Sequence, residues 1–149
     1  MYKIFLLITM LTIGYQNMAE KPIQERQSNI NLVLNTFTKI PEEIDGCNCK
    51  FYLSEQNEED VENKREKYIF VNDFASIGFA RINGKLEKFE LKKFDDDEHS
   101  YLYSNKVYVL KIIVSAKVYK NEKSYLKADI ILSKGDKMLK KDIIGSCGC

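Results

Sequence analysis

Apolar and polar residues alternate along much of the second half of the chain, a pattern typical of strands that bury one face. The alternation runs through 107–120 and resumes at 124–133 after the polar turn Asn121-Glu122-Lys123. Lys134-Gly135-Asp136 then leads into a third segment, 138–144. Long strands joined by short polar turns predict an antiparallel meander.

The strongest local signal in the chain is Asn83-Gly84, which separates two apolar-rich runs at 77–82 and 85–91. Asn-Gly favours a two-residue type I′ turn because both central positions need a positive φ. This stretch therefore predicts a hairpin. Two earlier segments, 49–53 and 68–71, are rich in aromatic and β-branched residues and are predicted strands as well.

Three other stretches are less regular. The apolar spacing of 30–40 fits both a helical face and a strand, and 55–67 predicts a solvated loop or a short surface helix. The range 94–100 predicts an acidic loop. The whole chain is predicted to be mainly β, an antiparallel meander of seven or eight strands that forms a small barrel or a strongly curved sheet, with at most one short helix.

The N-terminal segment resembles a secretory signal peptide. It combines an early positive charge, Lys3, with the uncharged apolar run 4–14, which is too short to span a bilayer. We expect a signal peptide at 1–19, with cleavage after Ala19 preferred over Gly14, although an uncleaved buried strand stays open. The range 20–149 is then a single secreted or periplasmic domain with no membrane span in the mature chain.

Charge argues against a nucleic-acid partner. The chain has 23 basic and 22 acidic residues, and the segment 1–19 contains only Lys3, so the remainder has 22 of each. Basic residues are dispersed among the acids, whereas a nucleic-acid binder concentrates them in a patch.

The only four cysteines form two C-x-C pairs, Cys47-Asn48-Cys49 and Cys147-Gly148-Cys149. In a strand, residues i and i+2 share a face, so two such strands could join through two disulfides or through a thiolate site for zinc or copper(I). An even number of cysteines in a short secreted chain favours disulfides. Each would close a loop of about 100 residues, worth about 4–5 kcal/mol. The connectivities 47–147/49–149 and 47–149/49–147 both remain open, and pairing within one C-x-C ranks third.

Catalytic motifs are missing from the sequence. It has one histidine, His99, and lacks a nucleophile elbow, a Walker loop and a dinucleotide fingerprint. The run Asp95–Glu98 fails the EF-hand pattern, since Ser100 and Lys106 occupy the positions that need Gly and Glu. We therefore expect no catalytic residue, no metal ligand and no cofactor. Four tyrosines are the candidates for a binding surface: Tyr101, Tyr103, Tyr119 and Tyr125.

Four motifs carry a resemblance to an uncharacterised group of small secreted proteins of Gram-negative bacteria: Ile40-Pro41-x-x-Ile44-x-Gly46-Cys47-x-Cys49, Tyr68-Ile69-x-Val71-Asn72-Asp73-Phe74, Ile82-Asn83-Gly84-Lys85 and Cys147-Gly148-Cys149. The resemblance brings no activity with it. In architecture the chain is also similar to the periplasmic C-type lysozyme inhibitors, which insert loop residues into the lysozyme cleft. Their Ser-Gly-x-x-Tyr loop is absent, and Ser133-Lys134-Gly135 is only a fragment of their Lys-Gly loop, so no inhibitory residue is assigned.

Together these features predict a secreted or periplasmic binding protein without catalytic activity, acting as an inhibitor or an envelope-protective factor on an unknown partner. The alternative is a metal-binding or metal-handling protein that uses the thiolates of both C-x-C pairs.

Overall fold

The computed structural model describes residues 31–55, 67–74 and 76–149. The predicted signal peptide at 1–19 and most of the loop predicted at 55–67 lie outside this part of the chain. No helix occurs in the described residues, and so none that could cross a membrane. Nine strands are present there: β1 (Leu34–Asn35), β2 (Asn48–Leu53), β3 (Tyr68–Asn72), β4 (Ile77–Ile82), β5 (Lys85–Asp95), β6 (Ser100–Ser104), β7 (Val109–Lys120), β8 (Lys123–Lys134) and β9 (Lys137–Gly148).

Strands β2 to β9 form one closed antiparallel barrel of eight strands. Each of them pairs with the strand that follows it in the chain, and β9 pairs back with β2 from Asn48↔Gly148 to Leu53↔Ile143. The predicted meander of seven or eight strands is therefore confirmed. Closure pairs what would otherwise be two free sheet edges.

Turn chemistry at the hairpins follows the prediction in part. Asn83 and Gly84 both have positive φ, as a type I′ turn requires. Asn121 and Glu122 also have positive φ and form a two-residue turn between β7 and β8. The acidic loop predicted at 94–100 is too long: β5 continues to Asp95 and β6 begins at Ser100, which leaves 96–99 as the turn.

The barrel interior is filled by one apolar cluster. Its fully buried side chains come from nearly every strand and include Phe70, Ile82, Phe89, Tyr103, Leu110, Ile112, Ile130, Leu132 and Ile143. The Tyr103 hydroxyl accepts a hydrogen bond of 3.0 Å from the Asn72 side-chain amide, so this buried polar pair is satisfied. The alternating apolar positions of β7 and β8 supply 6 of the 17 buried residues of this cluster.

A second apolar cluster lies outside the barrel, where the segment 36–46 covers β2, β3 and β4. We call these three strands and their cover the covered wall. The cluster contains Phe37, Ile44, Tyr52, Tyr68, Val71 and Phe79. The range 30–40, ambiguous in sequence, is extended at β1, which pairs with β4, and at Phe37, which forms an isolated bridge with Tyr68.

Strands β7, β8 and β9 form the opposite side of the barrel, which we call the open wall. Each strand has 12 residues. In the described part of the chain only Ile144 of β9 packs against the second apolar cluster, and the rest of this outer face lies outside that cluster. The exposed residues of that face include Val118, Tyr125, Lys127 and Lys140. Polar and charged outer positions replace the apolar cover of the other wall.

Candidate binding surface

Two disulfides, Cys47–Cys149 and Cys49–Cys147, join the two walls at the β2–β9 seam, with Cα atoms 4.0 Å apart in each. The register explains the connectivity that the sequence left open. Cys49 lies directly opposite Cys147, and in an antiparallel pair a step back on one strand meets a step forward on the other. The Cys49–Cys147 bond is buried, whereas Cys47 and Cys149 are exposed.

The thiolate metal hypothesis receives no support from this arrangement. All four cysteines are disulfide-bonded, so a four-thiolate site would first require reduction of both bonds. No group of three or more His, Cys, Asp or Glu residues in the described ranges is placed to hold a metal ion.

The four tyrosines do not form one surface. Tyr103 is 1% exposed and belongs to the barrel interior, because its alternation places it among the apolar positions; its assignment to a binding surface is wrong. Tyr101 is half-buried at the rim of that core, and its ring centroid lies 4.8 Å from that of Phe94. Burial raises the pKa of the Tyr101 hydroxyl, with nearby Asp96 adding to the shift.

Tyr119 and Tyr125 are both exposed and lie on the part of the β7–β8 hairpin that extends past β6. We call this part, residues 115–127, the hairpin arm. A bulge between Val114 and Ala116 shifts its register, so that Tyr119 pairs with Ser124 and Tyr125 pairs with Val118. Since cross-strand partners share a face and neighbours in a strand do not, the two tyrosines point to opposite faces of the arm.

The bulge also moves Val118 to the face opposite to the one that the alternation pattern predicts. The alternation over 107–120 places Val118 on the same face as Leu110 and Ile112, yet it is 63% exposed beside Tyr125. Tyr119 is 72% exposed on the other face. Ser115 marks the bulge by donating its hydroxyl to the Lys127 carbonyl, and nothing in the sequence distinguishes it from an ordinary strand residue.

Lysines give the hairpin arm a positive charge. Lys117, Lys120, Lys123 and Lys127 outnumber the single acid, Glu122, which leaves a net charge of +3. None of the five forms a salt bridge with another described residue. The arm therefore combines exposed apolar side chains with uncompensated positive charge.

The acidic turn at 96–99 differs from the arm because neighbouring lysines neutralise its flanks. Lys93 Nζ lies 2.6 Å from Asp95 Oδ2, and Lys111 Nζ lies 2.7 Å from Glu98 Oε2. The hydrogen bond from Lys93 lowers the pKa of the Asp95 carboxyl, and that from Lys111 lowers the pKa of the Glu98 carboxyl. These carboxylates are engaged with lysines, in agreement with a solvated acidic turn.

A cleft of about 570 Å³ lies between the covering segment and the β4–β5 hairpin, with walls that include Phe37, Ile40 and Leu86. Arg81 Nε is buried at this cleft and has no hydrogen-bond partner among the described residues. At the rim, Glu43 pairs with Lys88 and Glu42 pairs with Lys39. Charges of both signs thus meet around the cleft, and they do not define one class of ligand.

Comparisons with protein-family models, with curated proteins and with solved structures gave no match to this chain. The hairpin arm is therefore chosen as the candidate binding surface on its own chemistry.

Proposed function

We propose that the protein is a secreted or periplasmic binding protein without catalytic activity, and that the hairpin arm holds its partner. Two disulfides are typical of an oxidising, extracytoplasmic compartment, which supports the first part of the proposal. The observation that carries the second part is the exposure of Val118, Tyr119 and Tyr125 on an arm whose four lysines form no salt bridge with another described residue. Exposed tyrosines with a polar rim around them are typical of protein-binding surfaces.

The arm is held firmly to the barrel, which favours binding with little loss of conformational freedom. Ser124 to Lys127 pair with β9, and the same stretch of β9 pairs with β2 and carries Cys147. One side of the arm is therefore fixed by two strand pairings and a disulfide. An inhibitor or an envelope-protective factor would use such a preformed projection against the surface of another protein.

A matched pair of variants tests the role of the arm. The immobilised, oxidised protein is exposed to an extracytoplasmic extract and, separately, to purified lysozyme with its activity assayed. We expect a retained protein or an inhibited enzyme, and at least about a tenfold loss of that effect in the V118S/Y119S/Y125S variant.

Met138→Ser is the control, because Met138 is also 72% exposed but is the second residue of β9, near the other end of the barrel. It should bind like the wild type, and all variants should keep the wild-type melting temperature. Equal retention by the triple variant would show that the arm is not the binding surface.

A further inference from the structure

We propose that the outer edge of β7 along the hairpin arm, residues 115–120, accepts an extended acidic polypeptide segment of the partner as an additional strand. The inference rests on the proposed function and specifies its mode of binding. It differs from binding through exposed side chains alone, because the affinity would come in large part from backbone hydrogen bonds.

The edge is free because β6 is much shorter than β7. β6 pairs with β7 only from Val109 to Ile113, and one further bond joins the Val114 amide to the His99 carbonyl. Beyond that point β7 pairs with β8 on one side, and no described strand pairs with it on the other. All six residues from 115 to 120 are exposed.

The register identifies the backbone groups that such a strand would meet. The turn Asn121–Glu122 has two residues, so Lys120 and Lys123 form the hydrogen-bonded pair that closes the hairpin. Hydrogen-bonded and non-hydrogen-bonded pairs alternate in an antiparallel ladder. The N–H and C=O groups of Tyr119 and Lys117 therefore point away from β8, toward the free edge.

Charge selects the kind of strand that fits. Lys117 and Lys120 lie on this edge and Lys123 pairs with Lys120 across the hairpin, so an acidic segment would be attracted along the edge. A second copy of this chain would instead bring another set of lysines to the same edge. Edge lysines disfavour such self-pairing, which is why we assign the edge to an acidic segment of another protein.

The direct test uses a blocked hexapeptide, acetyl-Glu-Val-Glu-Val-Glu-Val-amide, with the oxidised full chain at neutral pH. We expect saturable binding and slower hydrogen exchange at the Lys117 and Tyr119 amides, since both would become hydrogen-bonded. A peptide with Lys in place of Glu, and the acidic peptide with N-methylated backbone amides, should each bind at least about tenfold more weakly.

Two substitutions of Lys117 distinguish the contribution of the backbone hydrogen bond to peptide binding from that of the lysine charge. Lys117→Ala removes the charge and keeps the outward N–H, whereas Lys117→Pro removes both. Proline is tolerated where a strand's N–H faces solvent, so the hairpin should persist. We expect Lys117→Pro to bind the acidic peptide at least about fivefold more weakly than Lys117→Ala.

The outcomes distinguish this inference from the proposed function. A partner that is lost with V118S/Y119S/Y125S but binds Lys117→Pro and Lys117→Ala equally would overturn strand addition and leave the binding arm in place. Absence of peptide binding to the wild type, or equal binding of the N-methylated peptide, would also overturn strand addition. The N-methylated peptide gives this answer on the wild-type protein, even if Lys117→Pro fails to fold.

Discussion

All five residues of β3 are buried, whereas the last six residues of β7 are all exposed. The difference follows from what lies outside each strand. The covering segment shields the outer face of β3, so Tyr68 to Val71 can be apolar without interruption. β7 has no such cover among the described residues, and its last six residues, 115–120, mix lysines with exposed apolar side chains. A run of apolar residues thus marks a wall with two packed layers, and alternation marks a wall with one.

The largest loss of unfolding free energy is expected when the disulfides that join the two walls at the β2–β9 seam are removed. Serine at all four cysteines removes both cross-links, and we expect a loss of about 4–5 kcal/mol in unfolding free energy. Removing only Cys47–Cys149 should cost much less, because Cys49–Cys147 still closes a loop of nearly the same length, 98 against 102 residues. Denaturant unfolding without reductant measures both values. A single-pair variant as unstable as the four-serine variant would contradict the shared-loop explanation.

A slightly smaller loss of unfolding free energy is expected when a side chain inside the covered wall is truncated. Phe70 is fully buried against Phe51 and Tyr103, and its ring occupies the space where a Cβ at Gly78 would lie. Phe70→Ala should lower the unfolding free energy by about 3–5 kcal/mol. Tyr125→Ala on the open wall is the control and should change it by about 0.5 kcal/mol or less. Similar losses in the two variants would mean that the walls do not differ in packing as described.

The outer layer of the covered wall should be more tolerant than its inner layer. Phe37→Ala should cost about 3 kcal/mol at most, the lower end of the range for buried phenylalanine, because the covering segment can shift toward the cavity. Phe37 and Tyr68 exchange two backbone hydrogen bonds, of 2.9 and 2.7 Å, so exchange of the Tyr68 amide should speed up. Val33→Ala is the control, since Val33 is exposed and lies outside the cluster. A loss equal to that of Phe70→Ala would argue against a separate, looser layer.

The smallest change in stability is expected at low pH, from an ion pair on the open wall. Lys140 lies 2.8 Å from Asp129, and its hydrogen bond lowers the pKa of the Asp129 carboxyl. A lowered folded-state pKa stabilises the fold above about pH 4, the unfolded value, and this contribution disappears as the pH falls through the folded value. Asp129→Asn should flatten the fall in stability below pH 4. An unchanged pH profile would show that the pair contributes nothing.

Much of the open wall could be predicted from sequence. Alternation of apolar and polar residues over about 12 positions identifies a strand and also shows which of its residues face the core. One feature of this wall was not predicted. The bulge at Ser115 reverses the faces of Val118 and Tyr119, and the hydrogen bond that marks it joins a residue of another strand, which local sequence does not reveal. Elsewhere in the barrel, β6 was not predicted, since its five residues, Ser100 to Ser104, are too few to show a clear period.

The covered wall and the candidate site were harder to predict, because both depend on contacts between residues that are distant in sequence. Whether Phe37 packs outside the barrel depends on contacts with Tyr68, a residue distant in sequence. Tyrosine is common on exposed sheet faces, whereas the Tyr103 hydroxyl is buried beside a hydrogen-bond partner, the Asn72 amide, that is distant in sequence. The free edge of β7 likewise depends on where β6 ends, which only the assembled sheet defines.

The pairing of β9 with β2 also sets the order in which the chain can mature. Every other pairing of the barrel joins neighbours in sequence, but this one joins residues about 100 positions apart and must follow the rest. As the chain emerges, Cys47 and Cys49 appear long before Cys147 and Cys149, with only each other available as oxidation partners. Correct bonding therefore waits for the last strand, and a thiol–disulfide isomerase would shorten that wait.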